Sequence, residues 1–301
     1  MMNTYVINMS KDTHRLAAVK KSAALYDINF IRVDGVSIDD NSIKKSPDIS
    51  NFMKKYGTKG MIGCFLAHKK VWEIIVNNKI KYAIILEDDI EFTKQFNPTI
   101  KEIQKDIKKL DFDILLLSSL IGCKNPKNYT LSDKVSKFFF KTREYKYINE
   151  KYHIPEFFGG LQSYIITYKS AKKLLKELSI VTYHVDLVIS ASQSIKIMSL
   201  NHPIIINSLE NCDLSNNSTS YFLLDRYFKN IFIDGKNLSW MLNVSLMKVP
   251  VPDSQNPTII NPRFIIKYFL ILIIALICIC FKIKQKYWIL ILILFIIILL
   301  L

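Results

Sequence analysis

Ile84-Ile85-Leu86-Glu87-Asp88-Asp89-Ile90-Glu91 sets three consecutive carboxylates at the end of a continuous apolar run. Such a run reads as a strand buried on both faces. In an open α/β sheet, ligands bind at the carboxyl ends of the strands. Three acids placed there repel one another strongly unless a cation joins them. Carboxylate oxygens select a hard cation such as Mg²⁺ or Mn²⁺, which in turn holds phosphate oxygens. The segment therefore reads as a metal–diphosphate site. A solvated acidic turn capping the next helix is the alternative, and the apolar strand ahead of the acids favours the metal.

A second segment, Gly60-Met61-Ile62-Gly63-Cys64-Phe65-Leu66-Ala67-His68-Lys69-Lys70-Val71-Trp72, runs from a glycine pair into a helix that carries a His and two Lys. Small residues at a helix N-terminus favour an anion. By itself the segment leaves His68 equally suited to packing on a helix surface.

The elements that must position these residues alternate between strand and helix. Residues 6–8 and 30–33 read as strands, and Leu16, Val19, Ala23 and Tyr26 lie between them at helical spacing, with Asp12 or Ser10 as the cap. Residues 37–58 read as loop. Phe65, His68, Val71 and Ile75 mark a helix, residues 82–86 a buried strand, and Ile100, Ile103, Ile107 and Leu110 another helix. Residues 114–117 read as strand, 120–155 as an irregular insertion or lid, 161–167 as strand, 171–178 as helix and 204–207 as a late strand. This rhythm predicts an α/β layered fold with a mostly parallel sheet. The chain has 8 Gly and carries neither GxGxxG nor GxxxxGK[ST], which argues against a dinucleotide dehydrogenase of the usual type and a P-loop NTPase.

Composition splits the chain of 301 residues in two. Residues 263–301 hold five of the 41 basic residues (Arg263, Lys267, Lys282, Lys284, Lys286), no acid and one Gln among apolar residues, which leaves +10 of the formal +15 to residues 1–262. A positive body suits an anionic partner, although abundant Lys also simply solvates a surface. No nucleic-acid motif accompanies the charge, so a nucleic-acid partner is not expected. Cys64, Cys123 and Cys212 lie far apart without CxxC spacing, so no zinc site or disulfide framework is readable.

Residues 264–281 and 287–301 are apolar runs of ~27 Å and ~22 Å as helices, against a hydrocarbon core of ~30 Å. The basic linker between them belongs on the cytoplasmic side, whereas a single crossing from a cytosolic domain would put it outside. A shallow hairpin in the cytoplasmic leaflet resolves this, as would translocation of the main domain. No basic and apolar leader opens the chain, so the expectation is a membrane-associated protein with its main domain on the cytoplasmic side. The expected division is a domain over 1–215, an extension or linker over 216–262 and a membrane-anchoring segment over 263–301.

Taken in order, YVINMSKDTHR, FIRVDGV, GMIGCFLAHKKVW and AIILEDDIEF resemble the blocks of glycosyltransferase family 25, which includes lipooligosaccharide galactosyltransferases and collagen β-galactosyltransferases. Gly159-Gly160-Leu161-Gln162-Ser163-Tyr164 with the helix after it, and His184-Val185-Asp186, extend the resemblance to about residue 215. It implies a GT-A-like, Rossmann-like catalytic domain. It also implies an inverting, metal-dependent transfer of a sugar, most often galactose, from a UDP-sugar to a glycan, lipid-linked glycan or protein acceptor.

Carried over by position, Glu87 and Asp89 are the outer acids of a DxD-type motif and would hold Mn²⁺ or Mg²⁺. Glu87 and Asp88, with Asn8, Arg15, Asp34 and His68, would line the nucleotide-sugar site. An inverting transfer also needs a base on the acceptor hydroxyl. Asp186 is the first candidate and Glu156 the second, while His184, His202 and Asp213 could complete the metal or diphosphate shell. Two positions depart from the family pattern: its Glu is Met61 and its Ser is Ala67. They raise a second reading, a catalytically silent, membrane-anchored binding protein that uses the same pocket.

Overall fold

The computed structural model of the protein describes residues 2–118, 125–129, 134, 137 and 143–207, and two short strands at Phe232–Ile233 and Lys236–Asn237. Its centre is an eight-stranded sheet. The strands are β1 (Asn3–Asn8), β2 (Ile31–Asp34), β3 (Tyr82–Leu86), β5 (Ile114–Leu116), β6 (Lys146–Tyr147), β7 (Tyr152–Ile154), β8 (Ser163–Thr167) and β9 (Ile197–Leu200), in the order β2-β1-β3-β8-β5-β9-β7-β6. Six of the eight strands run in one direction, and β8 and β7 run against them. The fold is thus mixed α/β with a mostly parallel sheet, as the strand–helix rhythm predicts.

Strand alternation sorts the apolar run of β3 to two cores. Ala83 and Ile85 join Tyr5, Val33, Phe65, Trp72 and Tyr164 on one face, and Ile84 and Leu86 join Val6, Val19, Ile103 and Ile165 on the other. The first face is covered by α4 (Lys59–Asn77), α6 (Tyr168–Glu177) and α7 (Val185–Ala191). The second is covered by α1 (Thr13–Ala24) and α5 (Phe96–Asp106). Because both faces are buried, β3 carries no polar alternation.

Several expectations are corrected. Residues 37–58 hold two six-residue helices, α2 (Asp40–Lys45) and α3 (Asn51–Tyr56), each started by a side-chain cap from Asp39 or Ser50. They are too short to show an apolar stripe, but the caps were readable. Asp12 stands at the start of α1 yet makes no capping bond with its side chain. Residues 120–155 are not wholly irregular. A 3₁₀ turn forms at Pro126–Asn128, and β6 and β7 pair as a hairpin that extends the sheet beyond β9.

The late strand is β10 (Ile205–Asn207). It lies outside the main sheet and pairs antiparallel with β4 (Ile90–Phe92), which follows the three acids directly. Among the described residues no helix is long and apolar enough to cross a membrane. The expected anchor over 263–301 and Asp213 lie outside the described residues, as does all of 216–262 except the two short strands.

Candidate functional site

The carboxyl ends of β1, β2 and β3 meet at one edge of the sheet, at Asn8, Asp34 and Leu86. Because β8 is antiparallel, its first residue Ser163 pairs with Leu86, and the Glu87 N–H donates to the Gln162 carbonyl at 2.8 Å. The edge is therefore built from three strand ends and one strand beginning.

Past β3 the chain bends at Asp88 and Asp89, and the three acids part. Asp88 turns toward α1. Its Oδ2 accepts from Asn8 Nδ2 at 2.7 Å, and its Oδ1 accepts from Arg15 Nη1 at 2.8 Å. Burial pushes its carboxyl up despite these two donors. Asn8 in turn accepts from Arg32 Nε at 2.9 Å, and Arg32 Nη1 pairs with Asp34 at 2.7 Å. Ser10 donates to Asp34 at 3.1 Å, and Ser10 and Arg32 together hold the Asp34 carboxyl below the usual range. The expected nucleotide-side residues Asn8, Arg15, Asp34 and Asp88 are thus brought together as one network tying the three strand ends. Asp34 also lines a cavity of about 660 Å³ with Asn3, Tyr5, Arg32 and Lys70 at the β2 edge.

Glu87 turns the other way, toward α4, and its Oε1 lies 3.2 Å from His68 Nε2. Cys64 is one helical turn before His68. Burial first, then the charges of Glu87, Asp186 and Asp89, push the Cys64 thiol well up. Asp89 is the sharpest feature. Burial, reinforced by Glu87, raises its carboxyl to about 7, and its Oδ1 is buried with no hydrogen-bond partner. A buried carboxylate oxygen without a partner, facing other acids, is the environment a divalent cation relieves. The residues present therefore fit such a cation, with Glu87 and Asp89 supplying hard oxygen donors.

Asp186 sits in the first turn of α7. It accepts from the Gly160 N–H at 2.7 Å and from the Leu187 N–H at 2.9 Å. Gly160 has a φ of 89°, a left-handed conformation that favours glycine, so Asp186 pins the turn that starts the β8 segment. Its charge is felt by Cys64, Tyr183 and His184, which places it with the acid group. The described partners of Glu156 are elsewhere: Lys137 at 3.0 Å and the Tyr129 hydroxyl at 3.2 Å. His184 is buried at the start of α7 with Nε2 unpartnered, and burial lowers its pKa. His202 is exposed.

Sequence reasoning passed over Tyr164, Trp72, Gln162 and Ser163. Tyr164 contacts both His68 and Trp72, and the Gln162 Oε1 and Ser163 Oγ atoms are buried without hydrogen-bond partners among the described residues. The i, i+4 spacing of Cys64, His68 and Trp72 was a readable signal, whereas the antiparallel direction of β8 was not. Gly63 explains the second glycine of its segment. A Cβ there would lie 2.5 Å from the Val36 carbonyl oxygen, so α4 meets the loop after β2 backbone to backbone. Met61 and Ala67, the two departures from the family pattern, are both core residues.

This constellation of strand-end acids on an α/β sheet coincides with a sequence match. Residues 1–189 match the family described as glycosyltransferase family 25 (LPS biosynthesis protein). The chain belongs to glycosyltransferase family 25. It is 25% identical over 215 residues to a glycosyltransferase 25 family member of Anopheles gambiae, covering 67% of this chain and 32% of that one. It is 36% identical over 56 residues to procollagen galactosyltransferase 2 of Mus musculus, covering 19% and 9%. It is also 36% identical over 62 residues to the inactive glycosyltransferase 25 family member 3 of Mus musculus, covering 20% and 10%. The matched stretches thus span 32% or less of these relatives' length.

Proposed function

We propose that this family 25 glycosyltransferase has a GT-A-like catalytic domain. It transfers a hexose, galactose being the expected one, from a UDP-sugar to a glycan, lipid-linked glycan such as lipooligosaccharide, or protein acceptor, with inversion. Residues 263–301 would hold it at a membrane with the catalytic domain on the cytoplasmic side. The observation that carries the catalytic reading is the buried, unpartnered Asp89 oxygen beside Glu87 at the carboxyl edge of the sheet.

Glu87 and Asp89 would hold Mn²⁺ or Mg²⁺, which when bound supplies charge stabilisation to a leaving diphosphate. Arg15, Asn8 and Asp88 stiffen the backbone that carries both acids, since their bonds cross from β1 and α1 to the residue between them. Asp186 is the preferred base. Two backbone N–H groups fix its carboxylate, and each oxygen keeps a lone pair to accept the proton of an acceptor hydroxyl. Glu156, engaged by Lys137 and Tyr129, is the weaker candidate.

The second reading, a silent member of the family, draws on the relatives named inactive. Met61 and Ala67 lend it less support than their polar counterparts in the pattern suggested, because in this chain both pack in the core. A panel of UDP-sugars, each with and without Mn²⁺, separates the readings. Turnover of one sugar only with metal is the expected result. Thermal stabilisation by UDP-sugar without any turnover would favour the silent reading.

A further inference from the structure

Cys64 Sγ, a His68 ring nitrogen and a Glu87 carboxylate oxygen lie within 4.8 Å of one another. Two arrangements use these same atoms: a thiolate–imidazole–carboxylate metal site, or a histidine that donates to Glu87. Protons decide between them. Tyr164 is completely buried, and its hydroxyl has two described neighbours, Trp72 Nε1 at 2.9 Å and His68 Nδ1 at 3.0 Å. An indole N–H only donates, so the phenol oxygen accepts from Trp72. The phenol hydrogen must then go to His68 Nδ1, the remaining neighbour. A neutral imidazole that accepts at Nδ1 carries its proton on Nε2. Nε2–H faces Glu87 Oε1 at 3.2 Å. The opposite tautomer, or a metal on Nε2, would leave the Tyr164 hydroxyl hydrogen buried with no acceptor.

We infer that Trp72 and Tyr164 lock His68 in its Nε2–H form, so that His68 is a positioning residue that donates to Glu87 and aims its carboxylate. This rests on the reading of Glu87 as a residue that touches the metal or the nucleotide sugar. The architecture suits the role. Trp72 and His68 lie four residues apart on α4 and so share a face. Tyr164 pairs with Ile85, and Glu87 follows Ile85 by two residues and so projects to the same side. The rings of His68 lie 5.7 Å from Tyr164 and 6.3 Å from Trp72. Glu87 itself is 26% exposed, so a carboxylate held through one oxygen can offer the other to a ligand.

Nitrogen NMR on the full chain with labelled histidine reads the tautomer without reference to activity. The expected spectrum has the His68 proton on Nε2 and none on Nδ1, and Tyr164→Phe releases that preference in a protein that still melts cooperatively. In kinetics, His68→Ala should raise the apparent KM for Mn²⁺ or UDP-sugar by ~10-fold or more, the scale of outer-shell losses at metal sites. His68→Gln, which keeps an N–H donor, should restore most of it. A proton on Nδ1 overturns the inference, as does stoichiometric zinc that disappears in Cys64→Ser and His68→Ala. Full activity of Glu87→Ala overturns the positioning role through Glu87 itself, and the spectrum then shows whether the tautomer lock survives.

Discussion

Asp88 and Asp89 are adjacent and face opposite situations, Asp88 being buried and Asp89 half-buried with one buried oxygen. Asp88 is met by Asn8 and Arg15 on the α1 side of the sheet, at 2.7 and 2.8 Å. Asp89 has a buried oxygen with no hydrogen-bond partner, and burial, Glu87 and Asp88 push its carboxyl up against the opposing charge of Arg15. The alternation of β3 carries Glu87 to the α4 side and Asp88 to the α1 network, and the chain then bends at Asp88 and Asp89. Of the three acids, Asp88 is met by Asn8 and Arg15 and Glu87 by His68, which leaves the Asp89 oxygen as the one that the proposed cation would relieve. On the proposed function the same run would contribute both rigidity and binding.

The comparison breaks most visibly if the compensated acid is removed. Asp88→Ala leaves Arg15 mostly buried without its partner and should cost about 3 kcal/mol of stability, the scale for breaking a buried pair. Chemical denaturation measures it, and a loss under about 1 kcal/mol would show that the network holds nothing together. Next is the helix that brings Cys64 and His68 to Glu87. Gly63→Ala forces α4 off the Val36 carbonyl and should cost about 1–3 kcal/mol, with a larger relative loss of activity than of stability. Unchanged activity with unchanged stability would show that this close approach is not needed.

The smallest expected effect at any single step of the measurement is electrostatic. The Asp89 carboxyl is raised to about 7 in the folded chain, so between the ordinary carboxylate range and 7 the folded state binds more protons than the unfolded one. In metal-free protein, stability from this residue therefore grows as pH falls from about 7 toward 4 and is lost as pH rises, by at most about 1.4 kcal/mol per pH unit. Asp89→Asn should flatten that slope. Asp113 acts in the opposite sense. Burial opposes its charge, but Lys173, the Lys196 N–H and Ser170 outweigh burial and lower its pKa, so its contribution is lost only in more acidic solution.

Much of this was legible in the sequence. The unbroken apolar run of β3 announced a strand buried on two faces, and the acids after it lie at the carboxyl edge of the sheet, as that run implied. Blocks spread over 4–215 identified the family that the match over 1–189 supports. Other features were hidden for physical reasons. The direction of β8 is decided by which strands it pairs with, so Tyr164 could not be placed on the face of Ile85 and His68 from spacing alone. β4 and β10 are three residues each and stabilise each other across more than a hundred positions, which leaves no local periodicity to read. That Met61 and Ala67 point into the core depends on which face of α4 meets the sheet.

The central claim is that Glu87 and Asp89 hold a divalent cation for a nucleotide diphosphate. Calorimetric titration of UDP into wild-type protein and Asp89→Ala, each with and without Mn²⁺, tests it most directly. The account predicts UDP binding that requires Mn²⁺ in the wild type and is weakened at least ~100-fold in the variant, beyond the usual scale of outer-shell changes, while the variant's melting temperature is maintained or raised. UDP binding of equal strength without metal, or metal-dependent binding undiminished in Asp89→Ala, would contradict it.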